Sequence, residues 1–166
     1  MSPEELVLAL LALIVGAAVQ ASIGFGASLV SIPLLLLVDP RLVPGPATVA
    51  GLTVNLVALA AGTSHADWRG ARWAVAGLLP GTAVAAVVLS AFSGRAIGAI
   101  SALAVLAAAG VSAAGARPPA GRRTLVGAGF FSGYLNTTAG VGGPPMALAY
   151  QDAPARTLRS TLAVVF

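Results

Sequence analysis

Cysteine is absent from the 166 residues, and with it disulfide bridges and thiolate metal sites. Lysine is absent too, so all nine basic residues are arginine, against five acidic residues and one histidine. Charge of either sign is scarce, at 8% of the chain, where a soluble domain carries about a quarter; the surface of a water-soluble fold cannot be made from so little. The single histidine lies outside the apolar runs and no carboxylates cluster, so neither a metal nor a cofactor is expected. The arginines stand singly or in small groups between apolar runs, without interleaved aromatics, and no nucleic-acid partner is expected.

What is present is apolar, at 58% of residues, in long runs of Ala, Leu, Val and Gly without period-two alternation. In lipid only a helix or a closed barrel satisfies its own backbone, and this composition selects the helix. The predicted fold class is an all-α integral membrane protein, a polytopic helix bundle whose solvent is the lipid bilayer. The N-terminal Met1-Ser2-Pro3-Glu4-Glu5 is acidic where a secretory signal is basic, so the apolar run that follows is kept as a membrane element.

Residues 6–38 carry no charge, yet one straight helix of that length runs to about 50 Å, against a hydrocarbon core of about 30 Å. The expected break is at Ser22-Ile23-Gly24-Phe25-Gly26-Ala27-Ser28. Spans are predicted at 47–62, 73–92 and 96–114, with His65, Asp67, Arg69 and Arg72 in a polar loop flanked by Trp68 and Trp73. A second uncharged stretch, 124–151, is expected to break from Asn136 to Pro145, and a span that begins at 160 is cut short at Phe166, so further helices are expected beyond it.

Shifting the chain by 116 residues sets Gln20, Ala21 and Ser22 on Asn136, Thr137 and Thr138, and Gly24-Phe25-Gly26 on Gly140-Val141-Gly142. Residues 1–115 are therefore read as a first repeat, and 116–166 as the start of a second. Three spans between the breaks invert the second copy relative to the first, the arrangement that points to a secondary transporter's site. Arg69, Arg72, Arg117, Arg122 and Arg123 on one side against Arg41 and Arg95 on the other make the first side cytoplasmic. A hairpin at 6–38 puts the N-terminus outside; a single broken span puts it inside.

A broken helix turns free N–H groups and the positive end of its dipole toward whatever sits in the break, which suits an anion. The candidate binding residues are Gln20, Ser22, Gly24, Gly26 and Ser28 at the first break, and Asn136, Thr137, Thr138, Gly140, Gly142 and Gly143 at the second. The competing reading is that these small residues only pack helices together. No ionisable side chain falls inside a predicted span, so a cation site lacks its carboxylate. An intramembrane enzyme is the rival class, because Ser64, His65 and Asp67 fall within four residues, but proximity in sequence is not a triad and no catalytic residue is assigned. A non-transporting membrane assembly subunit is a further alternative.

These features resemble the TauE/SafE family of bacterial membrane transporters. The resemblance is carried by Gly24-Phe25-Gly26, Leu29 and Pro33 in the first half, then by Asn136 through Pro145, and by Arg156 with Ser160 and Thr161. Ala27 and Ser28 depart from it, standing where more glycine is common. The resemblance implies a multi-pass protein of the bacterial inner membrane that moves small anions such as sulfite or organosulfonates.

Overall fold

A computed structural model describes residues 2–42, 45–60, 62–91, 106, 110 and 121–166. Within them it is helical: α1 Pro3–Ile23, α2 Ala27–Val38, a 3-10 turn Pro40–Leu42, α3 Gly45–Ala60, α4 Trp68–Ala91, α5 Arg122–Ala139, α6 Gly143–Ala149 and α7 Ala155–Val165. No strand occurs among the described residues. The expected span at 96–114, apart from Leu106 and Gly110, lies outside them, as do Arg95 and Arg117.

The helices bury their small residues and expose their large ones. On α1 the buried residues are Ala9, Ala12 and Gly16, whereas Leu10, Leu11 and Ile14 are about half exposed or more. On α4, Gly70, Ala71, Ala74, Gly77, Gly81 and Ala85 face inward, and Leu79 and Val87 face out. Water would penalise such an apolar surface, but lipid does not, and without a hydrophobic drive between helices it is small residues that let backbones approach. By length and composition α1 and α4 are each able to cross a membrane; α2 and most of α3 are shorter apolar helices.

α1 begins in a capping box: Glu5 N–H donates to Ser2 Oγ, Ser2 N–H donates to Glu5 Oε2, and Pro3 occupies the first helical position. It ends at the first break, and α2 folds back along it. Ser31 Oγ donates to the Ala12 carbonyl at 3.1 Å, and a methyl on Gly16 would overlap both Ser31 Oγ and the Ala27 carbonyl. Pairing of late α2 with early α1 makes the segment an antiparallel hairpin, the first of the two alternatives for residues 6–38.

α4 and α5 form the tightest pair. A methyl at Gly77 would run into the Val126 carbonyl, at Gly81 into that of Phe130, and at Gly129 into that of Ala74. Contacts that advance together along both helices make the pair parallel. Both start at the same end, where Arg72 lies 5.0 Å and Arg122 3.9 Å from the centre of the Trp73 ring. Four of the five arginines expected on one side, Arg69, Arg72, Arg122 and Arg123, thus belong to the first turns of two helices that start together.

Two helix starts differ from the sequence reading. α4 begins at Trp68 rather than 73, because Asp67 Oδ1 accepts the Gly70 N–H at 2.9 Å and caps the new turn; Arg69 and Arg72 are helical, not loop. α7 begins at Ala155 rather than 160, after Pro154 with φ −55°, so Arg156 and Arg159 lie on the helix. α7 touches α1, α3, α4 and α6, and its Thr161 and Leu162 are fully buried.

Candidate functional site

The two breaks are built alike. At the first, Gly24 takes φ 99° and its N–H donates to the Gln20 carbonyl at 2.6 Å; at the second, Gly140 takes φ 69° and its N–H donates to the Asn136 carbonyl at 3.0 Å. Each helix therefore stops on a left-handed glycine that closes onto a carboxamide residue four positions earlier, and glycine alone takes that backbone without a steric penalty. The breaks also touch, since Gly143 packs on the Phe25 ring and Gly140 on Ile32.

Between them lies a cleft of about 670 Å³ that carries every candidate binding residue except Ser22. No ionisable side chain is among the described residues lining it. Ser22 is exposed and donates to the Ala18 carbonyl at 2.8 Å, away from the cleft. Thr137 and Thr138 do line it, but their hydroxyl protons go to the carbonyls of Gly133 and Tyr134, at 2.8 and 2.9 Å, which leaves oxygen lone pairs rather than donors.

The donors are fewer than two glycine motifs promise, and they sit unequally. Gly24 and Gly140 have spent their N–H groups on the helix ends. At the start of α6, Pro144 and Pro145 have no N–H to give, and Ser132 Oγ donates to the Gly142 carbonyl. At the start of α2, Ala27 N–H donates to Gln20 Oε1 at 3.3 Å and Val30 N–H to the Gly26 carbonyl at 3.3 Å. Ser28 and Leu29 follow in the same first turn, where an N–H has no helical acceptor. The Asn136 side chain is exposed to the cleft and makes no hydrogen bond within the described residues. Among the described residues the hydrogen-bonding potential for an anion is thus the first turn of α2 and the Gly142 and Gly143 amides, together with the Asn136 and Asn55 carboxamides.

Two residues at this site escape the sequence reading. Asn55 of α3 lines the cleft and accepts a hydrogen bond from Gln20 Nε2 at 2.6 Å, so Gln20 ties together the end of α1, the start of α2 and the middle of α3. Its signal was visible: it is the one carboxamide in the predicted spans 47–62, 73–92 and 96–114, and a polar group in lipid needs a partner. Arg159 of α7 packs against Gly24, with Nη1 3.3 Å from the Ala21 carbonyl and 3.5 Å from that of Ser22, at the negative end of α1. An arginine therefore does stand beside the first break, where the sequence placed none.

The serine, histidine and aspartate near 65 do not assemble. Ser64 Oγ and His65 Nδ1 are 3.0 Å apart, but the Asp67 carboxylate is turned to the Gly70 N–H and to Tyr150 Oη, which donates to Oδ2 at 3.0 Å. Asp67 N–H donates to Thr161 Oγ1 at 2.9 Å, so this residue pins the loop before α4 to α7 and to the segment after α6.

Comparison with curated proteins and with solved structures found no match. The family model described as sulfite exporter TauE/SafE matches residues 8–166, a stretch that includes both breaks, Asn55 and Arg159. That family is one of transporters and not of enzymes. By its sequence from the first helix to Phe166, the chain belongs to the sulfite exporter TauE/SafE family of membrane transporters.

Proposed function

We propose that the protein is a secondary transporter that carries a small anion, such as sulfite or an organosulfonate, through the cleft between its two helix breaks. The observation that carries this reading is the lining itself: two broken helices, carboxamides and unspent amides, and, among the described residues, no carboxylate that would favour a cation. Taking an ion out of water costs several kcal/mol even after the protein relaxes. Hydrogen bonds to a charged group return about 1.5 to 3 kcal/mol each. The Ser28 and Leu29 amides with the Asn136 and Asn55 carboxamides are enough to offset that cost while still letting the anion leave.

The same reading includes two repeats in inverted relation, 1–115 and 116–166, with the breaks near the middle of the bilayer, in a multi-pass protein of the bacterial inner membrane. Support comes from the matching glycine caps at Gly24 and Gly140 and from the direction of the helices. α1 runs toward the end of the bundle that holds Gly62 and His65, and α5 runs away from it. Asn136 is the residue to test, since it offers a donor to the cleft without tying down the fold. In full-length protein reconstituted in liposomes, Asn136→Leu is expected to insert normally and to lose sulfite flux about tenfold or more, the worth of one charge-assisted hydrogen bond. Wild-type flux of all tested anions through that variant would sink the site; a wild type that moves only cations would sink the anion mechanism.

A further inference from the structure

A second cleft, of about 640 Å³, lies on the other side of the Gln20–Asn55 bond. Gln20, Gly24 and Asn55 line both clefts. Along α3 the division is sharp: Leu52 faces only the helix-break cleft, Ala58 faces only the second, and Asn55 sits between them. The second cleft reaches the end of the bundle that holds Gly62 and His65, next to the start of α4. Unlike the first it is charged, because Arg156 and Arg159 line it and, among the described residues, no carboxylate does. Arg159 spends one nitrogen on the end of α1, whereas Arg156 is exposed and makes no ion pair within the described residues.

We propose that this second cleft is an anion vestibule, and that the Gln20–Asn55 pair is the partition an anion crosses between it and the helix-break cleft. The inference rests on the transport reading above. The chemistry follows from the two linings: arginines draw an anion in from bulk water by charge, and the carboxamides then receive it without a charge that would hold it. Gln20 Nε2 and Asn55 Oδ1 satisfy one another while no anion is present, so the partition is closed by a hydrogen bond that either side chain can exchange for a bond to the substrate. A sulfonate or fully deprotonated oxyanion accepts and cannot donate; it therefore competes for the Gln20 N–H, and by taking it frees Asn55.

Thiol labelling tests this without reference to flux, because the chain has no cysteine of its own. In the full-length protein, Leu52→Cys and Ala58→Cys are made singly, and a membrane-impermeant thiosulfonate is applied from the side of the arginine-bearing end. The Ala58→Cys thiol should react and the Leu52→Cys thiol should not. Adding Asn55→Ala should speed the Leu52→Cys reaction on the order of tenfold or more, as a barrier that opened only transiently is removed. Where Asn55→Ala fails to insert, Asn55→Ser removes the same bond at smaller cost. Equal Leu52→Cys rates with and without Asn55 overturn the partition.

The vestibule is read separately at the Ala58→Cys thiol, by the ratio of rates for an anionic and a cationic thiosulfonate. Arg156→Gln should lower that ratio several-fold, as removing one unit charge from the cleft acts with opposite sign on the two reagents. An unchanged ratio overturns the anion vestibule. A wild type that moves no anion, with the labelling pattern intact, fails the transport reading and leaves the partition standing.

Discussion

Gly24 and Gly26 share a backbone conformation and differ in what surrounds them. Both have φ near 100°, but a methyl on Gly24 would lie 2.8 Å from Arg159 Cγ and 3.0 Å from its Cα, whereas on Gly26 the nearest atom is an ordinary 3.5 Å away. Gly26→Ala should therefore pay only for a non-glycine residue at positive φ, about 1 to 3 kcal/mol. Gly24→Ala should pay that and also displace α7, so its midpoint of thermal inactivation in detergent is expected to fall further than that of Gly26→Ala. Equal shifts would mean that Arg159 gives way freely and does not hold the first break. Glycine at these positions was legible in the sequence as a pair of motifs. The shortage of amides at the second break is legible there too, because Pro144 and Pro145 lack N–H groups in any conformation.

At the scale of elements, hydropathy located the apolar runs and missed where two helices start. The polar residues assigned to loops before α4 and α7 are helical because each helix starts further upstream, capped by the Asp67 carboxylate in one case and set by the fixed φ of Pro154 in the other. Hydropathy averages over a window and cannot see a cap, whereas one side chain accepting one N–H decides a boundary. The second break was expected from its glycines, and α6 is only the seven residues Gly143–Ala149 beyond it. The pairing of α4 with α5 leaves a sharper mark. Gly129 sits where a methyl would strike the Ala74 carbonyl, so Gly129→Val is expected to force the pair apart and cost about 1 to 3 kcal/mol, the usual range for overpacking. Gly127 has open space around it, and Gly127→Val is the matched control. A thermal unfolding series in detergent that ranks the two variants together would refute the close approach of these helices.

For the whole molecule, charge bias predicts that residues 62–67 face the cytoplasm and that Ser93 faces outward, on opposite ends of α4. Cysteine introduced at Ser64 and at Ser93 reports this directly, and an impermeant reagent should label the first only from inside and the second only from outside. Labelling of both from one side would remove the odd number of crossings on which the inverted repeat depends. Ser93 itself lies outside the described residues; the expectation is the sequence's alone. What composition could not reveal at this scale was the contact between distant segments. Nothing in the spacing of Asn55 or Arg159 shows that the one will meet Gln20 and the other Gly24, because both meetings depend on how α3 and α7 lie against the first hairpin.

The backbone contact between α4 and α5 also fixes where the molecule can yield. Side chains that interdigitate can slip past one another by changing rotamer, but glycine against a carbonyl has no rotamer to change, and the two helices are geared together at Gly77, Gly81 and Gly129. On the transport reading proposed above, alternation between two states of access is a rocking of that rigid pair, with α6 attached to it, against the hairpin of α1 and α2. The bearing surface is small: the Phe25 ring on Gly143, and Ile32 on Gly140. An aromatic face resting on a bare glycine can tilt without catching, so that reading puts the joint where the two broken helices meet.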